Sequence, residues 1–423
     1  MTLLFSLPFD LFYSHVIVIS FAIHTLINVK KENWKKIFSL RTVIISSIFW
    51  VTLIGLFYSP NKNVANAEIG RQVIFLFFPV IFALSSFDFN KYKVKLLAGF
   101  VLCCTLTIIY LFADALRVIN YYNYPLTDLF SHSFTNHNFS APIDMHATFF
   151  SLQVGICLVY SIDKLMSIQT KSRKIVWLFY SLILTAGMLQ LSSKSAIAAI
   201  LIALVIVLPI FRLKGKMRYR FIFIAIFFFA LSGYTLSRYQ TFRDRFFSDL
   251  KTDLSKASSS EETDPRLARW QVAVQIIKQS PVLGHGSGSE IQLLKEAFYS
   301  HKLYNSFLNR LNAHNEYLSL LIKSGIIGLF FYLVTLIYGF RFAVKNKDVI
   351  FCTFMLLIAV VSMAENLLDV DKGTMFYGFF LTLFLFSNTR SNQLEHNLKT
   401  NAKQPKSFSE RVDSNKTEIF VTS

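Results

Sequence analysis

The sequence has little charge. Only 16% of its 423 residues are Asp, Glu, Lys or Arg, against 53% hydrophobic, a balance that excludes an ordinary set of soluble domains. Cysteine is also scarce. The four residues, Cys103, Cys104, Cys157 and Cys352, all fall inside apolar stretches and show neither a disulfide framework nor zinc-ligand spacing, so they read as small packing residues. No internal period is visible. No basic region precedes the first apolar stretch and no small-residue cleavage site follows it, so it is expected to be a retained span rather than a removable signal.

What is present is long apolar sequence. Residues 42–59, 96–111, 221–232 and 349–364 carry no charged side chain, and with their flanks most approach the ~20 residues a helix needs to cross ~30 Å of hydrocarbon. The formal charge of +18 raises the question of nucleic acid, but its distribution answers it. Basic residues cluster at Lys30, Lys31, Lys35 and Lys36, at 91–95, at 171–174, at 212–220 and at 345–347, the pattern of short cytoplasmic turns. No nucleic-acid partner is expected; the surrounding partner is membrane lipid. The chain therefore reads as an all-α polytopic membrane protein with about eleven (ten to twelve) transmembrane helices. In order they are expected near 9–28, 42–59, 73–86, 96–118, 146–162, 175–191, 195–211, 221–237, 325–343, 349–366 and 375–388, the third and last extending into their flanks. The turns at 61–71, 119–145, 192–194 and 238–314 then lie on the outer side. This parity puts the N-terminus outside and a disordered tail, 389–423, in the cytoplasm. The expected units are an N-terminal bundle 1–237, an outer loop 238–314, C-terminal spans 315–388 and the tail.

The outer loop is far longer than neighbouring spans require, and such loops are functional or disordered. This one reads as folded. Asp264 and Pro265 supply a helix cap and a first helical residue, followed by Trp270, Ala273, Val274 and Ile277 at helical spacing until Ser280 and Pro281. Ile291, Leu294 and Phe298 mark a second amphipathic run, and Gly284, Gly286 and Gly288 alternate between the two. That glycine run lacks the strand and helix of a nucleotide fingerprint. Arg266 sits in a first helical turn, where the dipole disfavours a cation by ~0.3–1 kcal/mol, so it is either a solvated arginine or an anion site. Arg269 faces another side. His314 meets the membrane surface at a helix start capped by Asn315, as a surface histidine or as a base that takes a proton from a sugar hydroxyl near neutral pH.

His314 and Asn315, followed by Leu318, Gly325, Ile326 and Gly328, resemble the O-antigen ligase and O-antigen polymerase superfamily. Arg266 to Trp270 with Pro281, Gly284 and Gly286 is similar to the family's upstream pattern, Met145 to Phe150 to a histidine-led span start, and 182–333 is the region of strongest resemblance. The resemblance implies a GT-C-like, metal-independent glycosyltransferase without cofactor, multi-pass in the bacterial inner membrane, whose site faces the periplasm. It implies transfer of a glycan from undecaprenyl pyrophosphate to lipid A-core or another glycan acceptor, with His314 as general base and Arg266 on the diphosphate. Where the family usually has another arginine this chain has Lys194, which keeps the charge and loses the bidentate fork. Arg71 is a third candidate cation and His146 a candidate for lining the substrate site, since polar groups facing a bundle interior are often functional. Asn315 completes the set of candidate binding residues.

Blander alternatives stand beside these. His132, His137 and His146 share a loop without metal-ligand spacing, and Asp244, Asp249 and Asp253 belong to a mixed-charge stretch. Glu365 either orients a base or pairs with Lys372. The competing functions are joining of lipid-linked repeat units, transfer to protein, and a transporter or flippase, the last disfavoured because neither paired repeats nor broken midplane helices are evident.

Overall fold

The computed structural model describes residues 1–9, 11–248, 251 and 264–387. Asp249, Asp253 and the tail 389–423 lie outside them. The described residues form helices and connecting turns, with no strand among them. Among the described residues, eight helices are long and apolar enough to cross a membrane: Leu40–Tyr58, Lys62–Leu84, Phe89–Tyr121, Ala147–Ser167, Lys171–Leu191, Lys194–Arg212, Gly215–Thr235 and Glu316–Lys345. Shorter apolar helices lie at Tyr13–Ile27 and Val349–Val361, and Asp371–Ser387 follows. The protein is an all-α polytopic membrane protein, and each expected apolar run contains a helix among the described residues.

Lipid explains the outer surface. Trp50, Phe57, Leu106, Ile175 and Phe223 are exposed side chains on these helices, and only hydrocarbon makes such faces inexpensive. The inner faces meet in one large cluster that includes Phe75, Phe78, Phe100, Phe150, Phe354 and Phe380. At one end of the bundle the basic turns tie helices together: Lys93 pairs with Asp348, and Arg212 pairs with Asp163.

Two expectations about the opposite end need correction. Residues 61–71 are not a turn but the helix Lys62–Gln72, which abuts Ile74–Leu84. Asn61 caps it, its Oδ1 accepting from the amides of Asn63 and Val64, and the polar residues that suggested a turn instead present a buried face with Ala65, Glu68 and Gln72. In the long segment, Pro265 occupies the cap of helix Arg266–Gln279, one residue later than expected. Asp264 turns elsewhere, accepting from the amide of Ser306.

The segment's helices have their own core of Ala268, Val272, Ala273, Ile276, Leu294, Phe298, Leu303, Ala313 and Ile322. Val274 and Ile291, expected on the inner faces, are exposed. Periodicity located the helices, but the packing partners shifted the buried stripe, admitting Arg269 on one helix and Glu290 on the next.

The segment is fastened to the membrane helix Glu316–Lys345 at a break. Gly325 there has φ 60° and ψ −158°, so the i to i+4 ladder is interrupted inside a spanning helix. The glycine loop supplies the missing partners. The amides of Ile326 and Ile327 donate to the carbonyls of Pro281 and Val282 at 2.9 and 3.5 Å, while the carbonyls of Ile322 and Lys323 accept from His285 and Gly286 at 2.9 and 2.8 Å. Glycine is required by space as well as by φ, because a Cβ on Gly325 would lie 2.2 Å from the carbonyl oxygen of Val282. Gly325→Ala is expected to reduce the amount of folded protein, since left-handed strain of about 1–3 kcal/mol adds to that clash. Monodispersity on size exclusion in detergent checks it, and an unchanged profile would contradict the close approach.

Candidate active site

His314 is placed by its neighbours on both sides. Trp270 Nε1 donates to the carbonyl of Ala313 at 2.9 Å, and the His314 amide donates to Asn312 Oδ1 at 2.9 Å. Next, Asn315 Oδ1 accepts from the amide of Leu318 at 3.2 Å and starts the helix Glu316–Lys345. The Asn315 amide donates to Asn366 Oδ1 at 2.9 Å. The result is a left-handed backbone at His314, φ 47°, a conformation that a side chain other than glycine adopts infrequently and that here turns the chain sharply into the helix.

The imidazole reaches a carboxylate. His314 Nδ1 lies 3.2 Å from Glu365 Oε2. Lys372, the alternative partner for Glu365, donates instead to the carbonyl of Asp144 at 2.6 Å. Burial favours the neutral acid at Glu365, but the hydrogen bond from His314 and the charges of His314, His146 and Arg266 outweigh it, holding the carboxyl below its usual range. An ionised carboxylate only accepts, so Nδ1 carries the proton of the neutral imidazole and Nε2 keeps its lone pair. Thr148 Oγ1 donates to the other oxygen, Oε1, at 3.4 Å.

Three residues singled out in the sequence thus act on one carboxylate, His314 by direct contact and Arg266 and His146 through their charge. Arg266 Nη1 donates to the carbonyl of Ala364 at 3.3 Å, next door to Glu365. His146 is the cap residue of Ala147–Ser167, with its ring centroid 4.1 Å from that of His137. Lys194 comes from another element as the first residue of Lys194–Ile202, which packs against Ala147–Ser167 and Val349–Val361. Arg71 arrives in the last turn of Lys62–Gln72 and acts on Asp369 rather than Glu365. Among the described residues its buried Nε has no hydrogen-bond partner.

Asp369 belongs to a polar cluster that the sequence reading missed. Lys323, buried at 3% exposure, has its Nζ 2.9 Å from Glu68 Oε1, 2.6 Å from Asp369 Oδ1 and 4.0 Å from Glu290 Oε2. Asn366 bridges inward, donating to Glu290 and to Asp369 Oδ2 at 2.9 Å. Glu290 accepts from the amide of Ala313 at 2.9 Å, so the cluster supports the residue before the imidazole. Burial opposes ionisation of Asp369, but Lys323, its hydrogen bond, Asn366 and Arg71 together hold the carboxyl low. Burial and the Asp369 charge push Glu290 the other way, upward. The overlooked signal was Lys323 itself, a cation in an apolar run on the same helical face as Glu316 and Ser319.

Because the Glu365 carboxyl is depressed in the folded protein, its ionised form contributes stability above the unfolded pKa of about 4.3, and that contribution is lost as pH falls through the lower folded value. Glu365→Gln is accordingly expected to lower the melting temperature at neutral pH, with the gap to the native protein narrowing in acid. Thermal unfolding in detergent across pH measures this, and a gap that widens in acid would contradict it.

Among the described residues, no three His, Cys, Asp or Glu side chains are grouped as metal ligands would be. Residues 179–333 match the family model described as O-antigen ligase. An uncharacterized protein of Haemophilus influenzae is 26% identical over 101 residues, which cover 24% of this chain and 25% of the relative. The alignment therefore spans about a quarter of that relative's length.

Proposed function

We propose, for a chain whose residues 179–333 match the family model described as O-antigen ligase, that it transfers a glycan from undecaprenyl pyrophosphate to lipid A-core at the periplasmic face of the bacterial inner membrane. The observation that carries this reading is the His314–Glu365 pair, 3.2 Å apart, with Arg266 acting on the same carboxylate. A base and a cation are what a displacement from a diphosphate needs.

The acceptor hydroxyl gives its proton to His314 Nε2 as its oxygen forms a bond to the anomeric carbon of the donor. The bond from that carbon to the diphosphate oxygen breaks, and its electron pair leaves with the diphosphate. Glu365 holds the ring by Nδ1 and faces the imidazolium with a negative charge, so it is a positioning residue. Arg266 binds the diphosphate by paired N–H donors and stabilises the charge developing there, with Lys194 and Arg71 as further cations. His146 lines the sugar-binding region beside Glu365. Asn315 acts through its cap, which sets the direction in which His314 leaves the helix start. Glu365→Gln is expected to lower kcat by about 10²-fold or more without raising the donor KM, because the ring loses its fixed tautomer while the cations stay.

Deletion in the native host, followed by lipopolysaccharide gels and analysis of the lipid carrier, tests the reaction. Loss of a ligase leaves bare core together with carrier-bound polymer. Core bearing a single repeat would assign polymerisation of lipid-linked units instead. Unchanged glycans with altered uptake of a small solute would overturn the enzyme altogether.

A further inference from the structure

A recess lies near His146, beside the candidate site. It has a volume of about 210 Å³ and is lined by Thr135, Asn136, Asn138, Ser192 and Thr241, with the imidazoles of His132 and His137. Among the described residues its lining contains hydroxyls, carboxamides and imidazoles and no Lys, Arg, Asp or Glu, and Asp244 Oδ2 lies 3.9 Å from His132 Nε2 beside it. Among the described residues such a lining offers a diphosphate no lysine or arginine, whereas an uncharged, hydroxyl-rich ligand would find donors and acceptors on several sides.

The walls are fixed before any ligand arrives. Gln190, buried at the end of Lys171–Leu191, donates from Nε2 to the carbonyls of Leu129 and Phe134, both at 2.6 Å, and its own carbonyl accepts from the Asn136 amide at 2.9 Å. Thr135 Oγ1 donates to the carbonyl of Ser131 at 3.0 Å, and Asn138 Nδ2 to that of His132 at 2.9 Å. Two lining residues, Asn136 and Ser192, hold left-handed backbone at φ 55° and 48°. A loop pinned in this way binds without the ordering cost of a loose one.

The recess adjoins the site just described. His137 forms part of its wall and packs against His146, which acts on Glu365, which holds His314. The donor's diphosphate is assigned to Arg266, Arg71 and Lys194, so a recess with no lysine or arginine among its described lining, joined to His314 through imidazoles, falls to the acceptor's side.

Resting on the proposed function, we infer that this recess binds one uncharged sugar residue of the acceptor glycan, next to the residue whose hydroxyl His314 activates. Thr241→Phe fills the recess from a residue outside the catalytic set, and Thr241→Ser preserves its hydroxyl. In full-length protein in detergent, Thr241→Phe is expected to raise the acceptor KM about tenfold or more, leaving the donor KM unchanged, and Thr241→Ser to behave as the native chain. A rise in donor KM in place of acceptor KM would assign the recess to the donor glycan and overturn the inference.

Binding is measured separately in the His314→Ala background, by saturation-transfer NMR with core oligosaccharide released from lipopolysaccharide. Binding that Thr241→Phe or Asn138→Ala abolishes supports the inference. Binding unaffected by both, or absent from the His314→Ala protein itself, overturns it. Asn138→Ala keeps the test decisive should Thr241→Phe fail to fold. If His314→Ala retains transfer while Thr241→Phe loses the oligosaccharide, the proposed base fails and the sugar site stands.

Discussion

His314→Ala is expected to reduce glycan transfer by about 10²–10⁴-fold with the protein still present in the membrane at its normal level. The two halves of this expectation have different origins. Activity falls because, with Nδ1 turned to Glu365, Nε2 is the imidazole lone pair that meets an incoming hydroxyl. Abundance holds because the side chain is at the surface of the fold, 27% exposed, while the surrounding bonds to Ala313, Asn315 and the His314 amide are made by other groups. His314→Asn is the companion variant. Asparagine accepts left-handed backbone readily, so it relieves any concern over φ 47° and still provides no base. Initial rates with a lipid-linked donor, beside immunoblots of membranes, measure both halves. Transfer near the native rate in either variant would remove His314 from the chemistry.

The largest stability effect is expected at Lys323. The ammonium is buried among Glu68, Asp369 and Glu290, and breaking a buried pair by removing one partner costs about 3–5 kcal/mol, because the remaining charges have no counterion. Lys323→Ala should therefore sharply lower the melting temperature in detergent. Removing an anion together with the cation should return part of the loss, so Lys323→Met combined with Glu68→Gln is expected to melt above Lys323→Met alone. Equal melting of the native and Lys323→Ala proteins would show that the cluster does not support the fold. The effect on chemistry is indirect: Glu290 and Asn366 bond to the backbone on either side of His314, so a collapsed cluster displaces the imidazole.

The spans were legible because each is set by one local quantity, a long run of apolar side chains, and that quantity needs no partner to be read. The helices of 264–308 were legible to the same degree. Their faces were not, since Val274 and Ile291 fit a helical stripe in sequence while the stripe that packs is chosen by Leu303, Ala313 and Ile322 from elsewhere in the chain. Hydrophilicity misled at 61–71, where Glu68 and Gln72 are polar because they meet buried polar groups, not because they meet water. At the site, the residue types His314, Arg266 and His146 could be picked out singly. Their meeting at Glu365 could not, because it joins positions far apart in the chain and the sequence left Lys372 equally eligible. Lys323 went unread for a simpler reason: one cation in an apolar run resembles a span boundary until its three carboxylates are seen.

The broken helix at Gly325 carries a consequence for how the molecule comes apart. Two of its amides and two of its carbonyls are completed by residues 281–286, and each polar group left buried and unmatched costs about 1–3 kcal/mol. Peeling the loop away would strand all of them at once. The extramembrane helices are thereby obliged to detach in concert with a transmembrane helix, and a chimaera exchanging that segment between relatives will need the matching half of the helix to come with it.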